Sequence, residues 1–272
     1  MKLNKLKALA QEIRLNLIKM LAAAGSGHPA GSLGIVEILT ALYFGNLLKY
    51  RPKNPQWPQR DRFLLSAGHL CPALYAILAK AGYFAQEELS TLRQLGSRLQ
   101  GHTHRQTPPG VEISAGSLGQ GLSMACGMAL AAKMDKHNYQ VVCLTSDGEH
   151  DEGQLWEAVM FAAKYKLNNL LNIVDRNHIQ IDGQTEIIMP LEPLREKYKA
   201  FNWRVIEING HNFGQIINAY QEAKKNKNKP TVIIAKTIPG KGVSFMENKA
   251  EWHGKTPTEE EAKKAIEELK SS

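Results

Sequence analysis

Cysteine is scarce in this 272-residue chain: Cys71, Cys126 and Cys143 are odd in number, far apart and set in apolar surroundings. That argues against a disulfide framework or a zinc site and for reduced core thiols in a cytoplasmic protein. Long apolar runs are lacking too, and none approaches the length needed to cross a bilayer. The opening "MKLNKLKALAQEIRLNLIKM" interleaves charge with Leu and Ile at helical spacing, unlike a secretory signal. No internal repeat is present; "GSLG" recurs at Gly31 and Gly116 with different flanks. An aromatic-interleaved basic stripe is also missing, so the formal net charge of +8 points to small anionic ligands and not to nucleic acid. The sharpest basic run, "KKNKNKP" at Lys224 to Pro230, reads as a solvated turn. A soluble chain without a membrane partner is expected.

What is present is ordinary α/β material, 43% apolar and 22% charged. Helical periodicity runs through Leu3, Leu6, Ile13, Leu17 and Leu21 to a stop at Gly25, and a second helix is expected from Ile35 to Phe44. "RPKNPQWPQRDR" reads as an extended loop, "FLLSAGH" as a short buried strand leading to a helix opened by Pro72. Further on, "QVVCLT", "LLNIVD", "RVIEIN" and "TVIIAKT" have strand length and alternate with helical stretches at 153–166, 214–225 and 258–269. The expected fold class is α/β: one domain over 1–272, a parallel sheet with helices on both faces.

If "QVVCLT" and "LLNIVD" are neighbouring parallel strands joined by a right-handed crossover, Asp147 and Asn177 come to adjacent strand ends. That edge is where open α/β sheets bind ligands, and a helix N-terminus beyond Gly148 would aim backbone N–H groups at an anion. A carboxylate, an amide oxygen and a nearby backbone carbonyl form a hard-oxygen set suited to Mg²⁺ shared with a diphosphate, with Ca²⁺ or Mn²⁺ as alternatives. Asp-Gly and Asp-Arg-Asn are each also common turn chemistry. Only their joint placement around one crossover favours a site.

At these residues the chain resembles the thiamine diphosphate enzymes, whose Gly-Asp-Gly signature is followed, one crossover later, by Asn; here it reads Ser146-Asp147-Gly148 and Asn177. It is more closely similar to the transketolases, whose motifs are matched in order by "SGHPAGSLG", "RDRFLLSAGH", "GSLGQGLSMACGMA", the Asp147–Asn177 stretch and "KTIPGKGVSFMENKAEWHGK". The resemblance implies the diphosphate-binding fold and carries roles to matching positions. Asp147, Asn177 and the Ile179 carbonyl would hold the metal; Gly148, His69 and His253 would meet the diphosphate, with Glu149 in the same contact set. Gly116, Ser117 and Leu118 would face the aminopyrimidine, and Ile181 the thiazolium. His28, His69, His102 and His253 would read sugar hydroxyls and carry protons, while Glu152 and Glu157 would lie near the interface between active sites. His150 could approach a phosphate, cap a helix or be exposed. Two departures stand out: Ser146 in place of Gly, which requires a backbone without positive φ, and "GHTH" at Gly101 to His104 in place of Gly-His-Pro-Glu.

By the same resemblance, the glutamate that activates the aminopyrimidine and the arginines that grip a substrate phosphate belong to a portion beyond Ser272. The expectation is the N-terminal subunit of a split transketolase with little or no activity alone. It would pair with a C-terminal subunit in a heterotetramer to move a two-carbon ketol unit between sugar phosphates. The alternatives are an α-type subunit of a 2-oxoacid dehydrogenase, a deoxyxylulose-phosphate synthase-like chain, or a non-catalytic scaffold.

Overall fold

A computed structural model describes residues 3–271. Five parallel strands form the main sheet: β1 (Arg62–Leu65), β2 (Val141–Ser146), β3 (Leu170–Arg176), β6 (Arg204–Asn209) and β7 (Thr231–Lys236). Their order across the sheet is β1-β2-β3-β7-β6. A small antiparallel hairpin, β4 (Ile179–Gln180) with β5 (Gly183–Gln184), follows β3 directly.

Side chains on successive strand residues point to opposite faces, and the sheet uses both. Val142, Leu144, Leu171, Ile173, Ile233 and Ala235 face one apolar cluster, covered by α1 (Leu3–Ala24), α3 (Val36–Phe44), α4 (Cys71–Ala81), α9 (Phe213–Lys225) and α10 (Glu259–Ser271). Val141, Cys143, Leu170, Val174, Val232 and Ile234 face the other, covered by α5 (Gln120–Met134), α6 (Gly153–Lys164) and α8 (Leu194–Ala200). Strands buried on both faces read as unbroken apolar runs, which is why they are legible in sequence. Two short helices, α2 (Pro29–Gly34) and α7 (Thr185–Ile188), border the C-terminal strand ends. All three cysteines are free and buried, as expected of core thiols.

One long helix, α5, is not among the expected elements. Helix α5 has no clear apolar stripe because small residues, Gly, Ala, Ser and Cys, make up about half of it and let it lie close to the sheet. At Gly121 an added Cβ would fall 2.3 Å from Ser66 Oγ and 2.7 Å from its Cα, so only glycine permits this approach. Helix α6 starts at Gly153, as expected, and a 3₁₀ turn, Gly148–Asp151, stands between the end of β2 and that helix. No described helix is long and apolar enough to cross a membrane.

Candidate active site

Strand pairing fixes the first part of the site. Ser146 of β2 stands opposite Asp175 of β3, and the Asp147 N–H donates to the Asp175 carbonyl at 3.1 Å. Asp147 and Asn177 therefore leave the sheet side by side. Ser146 is not among the positive-φ residues, so serine replaces the usual glycine without backbone strain. Asn177 has its amide oriented by the core: Nδ2 donates to Asp175 Oδ2 at 2.8 Å, and Oδ1 accepts the Ile179 N–H at 2.9 Å. The Asp175 carboxyl, fully buried and bonded by the Thr237 hydroxyl, is pushed up to about 7 by burial.

Asp147 is fully buried, and its two oxygens differ. Oδ2 accepts from Arg176 Nη1 at 2.9 Å, the His178 N–H at 2.7 Å and Thr185 Oγ1 at 3.4 Å, whereas Oδ1 accepts the Gly148 N–H at 2.8 Å. Oδ1 is thus the oxygen with capacity left for a cation. Asn177, leaving the adjacent strand end, carries a second hard oxygen, Oδ1, of the kind that suits Mg²⁺. Gln180 lies over Gly148, where an added Cβ would be 3.0 Å from its Oε1.

Two neighbours of Gly148 turn away from this edge, correcting the sequence reading. Glu149 has no exposed surface; its carboxylate accepts from the Ser66 hydroxyl, the Gly119 N–H at 2.8 Å and the Ser146 N–H at 3.2 Å. That carboxylate braces the glycine loop from behind and is turned away from the ligand edge. His150 is likewise buried, with Nδ1 at 2.8 Å from the Ser146 carbonyl and Nε2 at 2.9 Å from the Tyr198 hydroxyl. It neither meets a phosphate nor faces solvent. The pull of these two side chains into the core makes the 3₁₀ turn.

The second part is a histidine cluster assembled from four distant segments. His28 lies between α1 and α2, His69 in the turn after β1, His102 in the long loop before α5, and His253 in the loop after β7. Ring centroids are 5.2 Å apart for His28 and His69, 5.6 Å for His28 and His253, 5.2 Å for His69 and His253, and 6.3 Å for His28 and His102. His28 Nδ1 is buried with no hydrogen-bond partner among the described residues. Burial, followed by the neighbouring His253, Arg93 and His102, lowers His28 to about 4. Burial also holds His69 well below the ordinary imidazole range, and lowers His102 and His253. The rings are therefore neutral near pH 7, each able to donate at one nitrogen and accept at the other.

The remaining expected residues border these two parts. Gly116 sits beside His102, a Cβ there falling 3.8 Å from the ring, and Gly116 and Ser117 are exposed while Leu118 is half-buried. Glu152 packs beside Gly119, and Glu157 is exposed on α6. Ile181, at the tip of the hairpin, is 71% exposed. A basin of about 930 Å³ opens next to the cluster, lined by Ser26, Arg93, His102 and His104 among others. Sequence reasoning missed Arg93, which stands in no motif, and Arg176, which lies within Asp175-Arg176-Asn177 but draws its role from partners distant in sequence.

The chain matches the family model described as the transketolase, thiamine diphosphate binding domain, over residues 5–270. It is 48% identical over 260 residues to a subunit of the 6-deoxy-6-sulfo-D-fructose transketolase of a Clostridium strain, covering 96% of this chain and 94% of that protein. One subunit of the apulose-4-phosphate transketolase of Phocaeicola vulgatus is 41% identical over 269 residues, covering 99% and 95%. Among solved structures, the transketolase of Campylobacter jejuni superposes with a TM-score of 0.93 at 37% identity, covering 99% of this chain and 43% of that one. The chain belongs to the transketolase family, as a thiamine diphosphate-binding domain of that family.

Proposed function

We propose that this chain is the diphosphate-side subunit of a two-chain transketolase that moves a two-carbon ketol unit from a ketose to an aldose, both anionic. The observation that carries the reading is the gathering of His28, His69, His102 and His253 into one cluster of neutral rings. A 2-oxoacid has few hydroxyls for such a cluster to read; a ketose has several. The relatives spanned almost from end to end are each named as one subunit of a transketolase, which supports a second polypeptide as partner. Arg93, which has no carboxylate partner among the described residues, lines the basin and favours a negatively charged sugar.

Thiamine diphosphate, when bound, supplies the nucleophilic carbon and the electron sink. Asp147 Oδ1, Asn177 Oδ1 and the Ile179 carbonyl would hold Mg²⁺, and Gly148, His69 and His253 would meet the diphosphate. Gly116, Ser117 and Leu118 would border the aminopyrimidine, and Ile181 would cover the thiazolium. His28 and His253 would move protons at the sugar hydroxyls, while His69 and His102 orient the donor. Exposed Glu157, Met160, Phe161 and Tyr165 on and just after α6 give a face for a second copy, consistent with a heterotetramer of two such chains and two partners.

The test is reconstitution. The chain is mixed with its separately encoded partner, Mg²⁺ and thiamine diphosphate, and ketose–aldose exchange is followed with phosphorylated and sulfonated ketoses. Exchange is expected from the mixture and not from this chain alone. Cofactor binding without exchange from any donor would sink the reading.

A further inference from the structure

Arg176 closes β3 between Asp175 and Asn177, and its side chain is 1% exposed. A buried guanidinium must satisfy its N–H groups within the protein, and this one uses all three nitrogens. Nη1 donates to Asp147 Oδ2 at 2.9 Å and to Thr185 Oγ1 at 3.3 Å. Nη2 donates to Glu186 Oε1 at 2.5 Å and Glu192 Oε1 at 3.1 Å, and Nε donates to Glu192 Oε1 at 3.2 Å. One cation thus joins a carboxylate at the end of β2 to two carboxylates from the segment after β5.

That segment is anchored at its ends by buried Ile179 and Leu191 and by the His178 and Ile179 N–H bonds to Asp147 and Asn177, while its middle is open. Ile181, Ile187, Ile188 and Met189 are 71%, 74%, 41% and 55% exposed, so apolar burial contributes little there. The two glutamates are themselves placed by backbone donors: Glu186 accepts from the Leu191 N–H at 3.2 Å, and Glu192 from the Leu194 N–H at 2.8 Å. Between those ends, Arg176 is the charged group that ties Thr185, Glu186 and Glu192 to the sheet edge. The same contact turns Asp147 Oδ2 inward and leaves Oδ1 toward Gly148.

Resting on the function proposed above, we infer that Arg176 is a positioning residue. It fixes the Asp147 carboxylate and the 178–192 segment in place before metal and diphosphate bind, so that the site is formed in advance. A guanidinium suits this work because its planar fork addresses several carboxylates in fixed directions. A salt bridge that served stability alone would have no bearing on cation affinity.

Removing Arg176 itself strands a buried Asp147, and such a variant could fail to fold. The informative change is Glu186→Gln with Glu192→Gln, since these side chains are 38% and 52% exposed and their loss leaves Arg176 paired with Asp147. Hydrogen exchange is measured on the full chain without cofactor. Calorimetry then follows Mg²⁺ binding in the presence of thiamine diphosphate. The double variant is expected to exchange faster across 178–192 with α4 unchanged, and to bind Mg²⁺ about tenfold more weakly, as loss of outer-shell support typically does. Unchanged exchange in 178–192, a uniform rise across the whole sheet, or unaltered Mg²⁺ affinity overturns the inference. The hydrogen-exchange arm needs no cofactor and reads the inference by itself, whereas absence of ketose–aldose exchange from the wild-type complex would fail the proposed function and leave that arm standing.

Discussion

The strand-end clamp and the histidine cluster lie in one site and are built on opposite principles. Around Asp147 and Arg176 the groups are charged, and the buried guanidinium and Asp147 Oδ2 have their hydrogen bonds within the protein. Around His28 the rings are neutral and meet edge to face, and a buried ring nitrogen is left without a partner. Satisfied groups resist movement and define positions; an unsatisfied polar atom is poised to bond something that arrives. The clamp therefore holds geometry, and the cluster keeps its hydrogen-bonding capacity for a ligand.

The most severe way to break this contrast is Asp147→Ala. It removes the inner carboxylate partner of Arg176 and leaves the buried guanidinium with the Thr185 hydroxyl and the two outer glutamates. Breaking a buried pair from one side costs about 3–5 kcal/mol, which urea unfolding would register, and cofactor-dependent activity of the complex should vanish. A variant as stable and active as wild type would remove the clamp from the account, and would favour a scaffold role for the chain. His28→Gln and His253→Gln should behave the other way round. Loss of a positioned acid–base group lowers turnover by about 10²–10⁴-fold, while stability, measured in the same urea series, should change by only about 1 kcal/mol. Equal losses of stability in both regions would erase the distinction.

A third change addresses the joint that serves both regions. Ser66, Gly119, Gly121 and Glu149 tie the end of β1, the glycine loop and the turn after β2 together. Gly121→Ala places a Cβ against Ser66, and overpacking of this kind costs about 1–3 kcal/mol. It should also weaken thiamine diphosphate binding, because the loop bearing Gly116 to Leu118 would shift. Calorimetry showing full affinity at reduced stability would mean that the joint is structural alone.

Much of the sheet was legible in the sequence because β2, β3 and β7 are buried on both faces and so carry continuous apolar runs. Asp147 and Asn177 were legible as a pair because parallel pairing brings the ends of neighbouring strands together. Helix α5 was hidden by its small residues, whose role is close approach and not a stripe. Glu149 and His150 show the limit of motif adjacency: standing next to Gly148 does not say whether a side chain faces the ligand edge or the core. Arg176 was hidden for a different reason, since Asp147 lies far upstream and Glu186 and Glu192 well downstream, and only the folded chain makes them one group.

The smallest effect tests whether the cluster is neutral in the folded chain. His28 falls from 6.5 to about 4 on folding, chiefly through burial and then through His253. Between those values the unfolded chain holds a proton on His28 that the folded chain does not, so stability rises with pH there. Equivalently, stability is lost as pH drops through 6.5 and the loss levels off near 4. His150, also lowered to about 4 by burial, acts in the same sense, whereas Asp175, raised from 3.8 to about 7, acts in the opposite one. The net slope mixes these groups, and the readable quantity is the difference made by His28→Gln. That variant should unfold in urea with less proton uptake between pH 4.5 and 6, approaching one proton fewer than wild type, while the curves converge above pH 7. Identical pH dependence for the two proteins would mean that the His28 ring titrates as freely in the cluster as in the unfolded chain, and the cluster would then lose its contrast with the clamp.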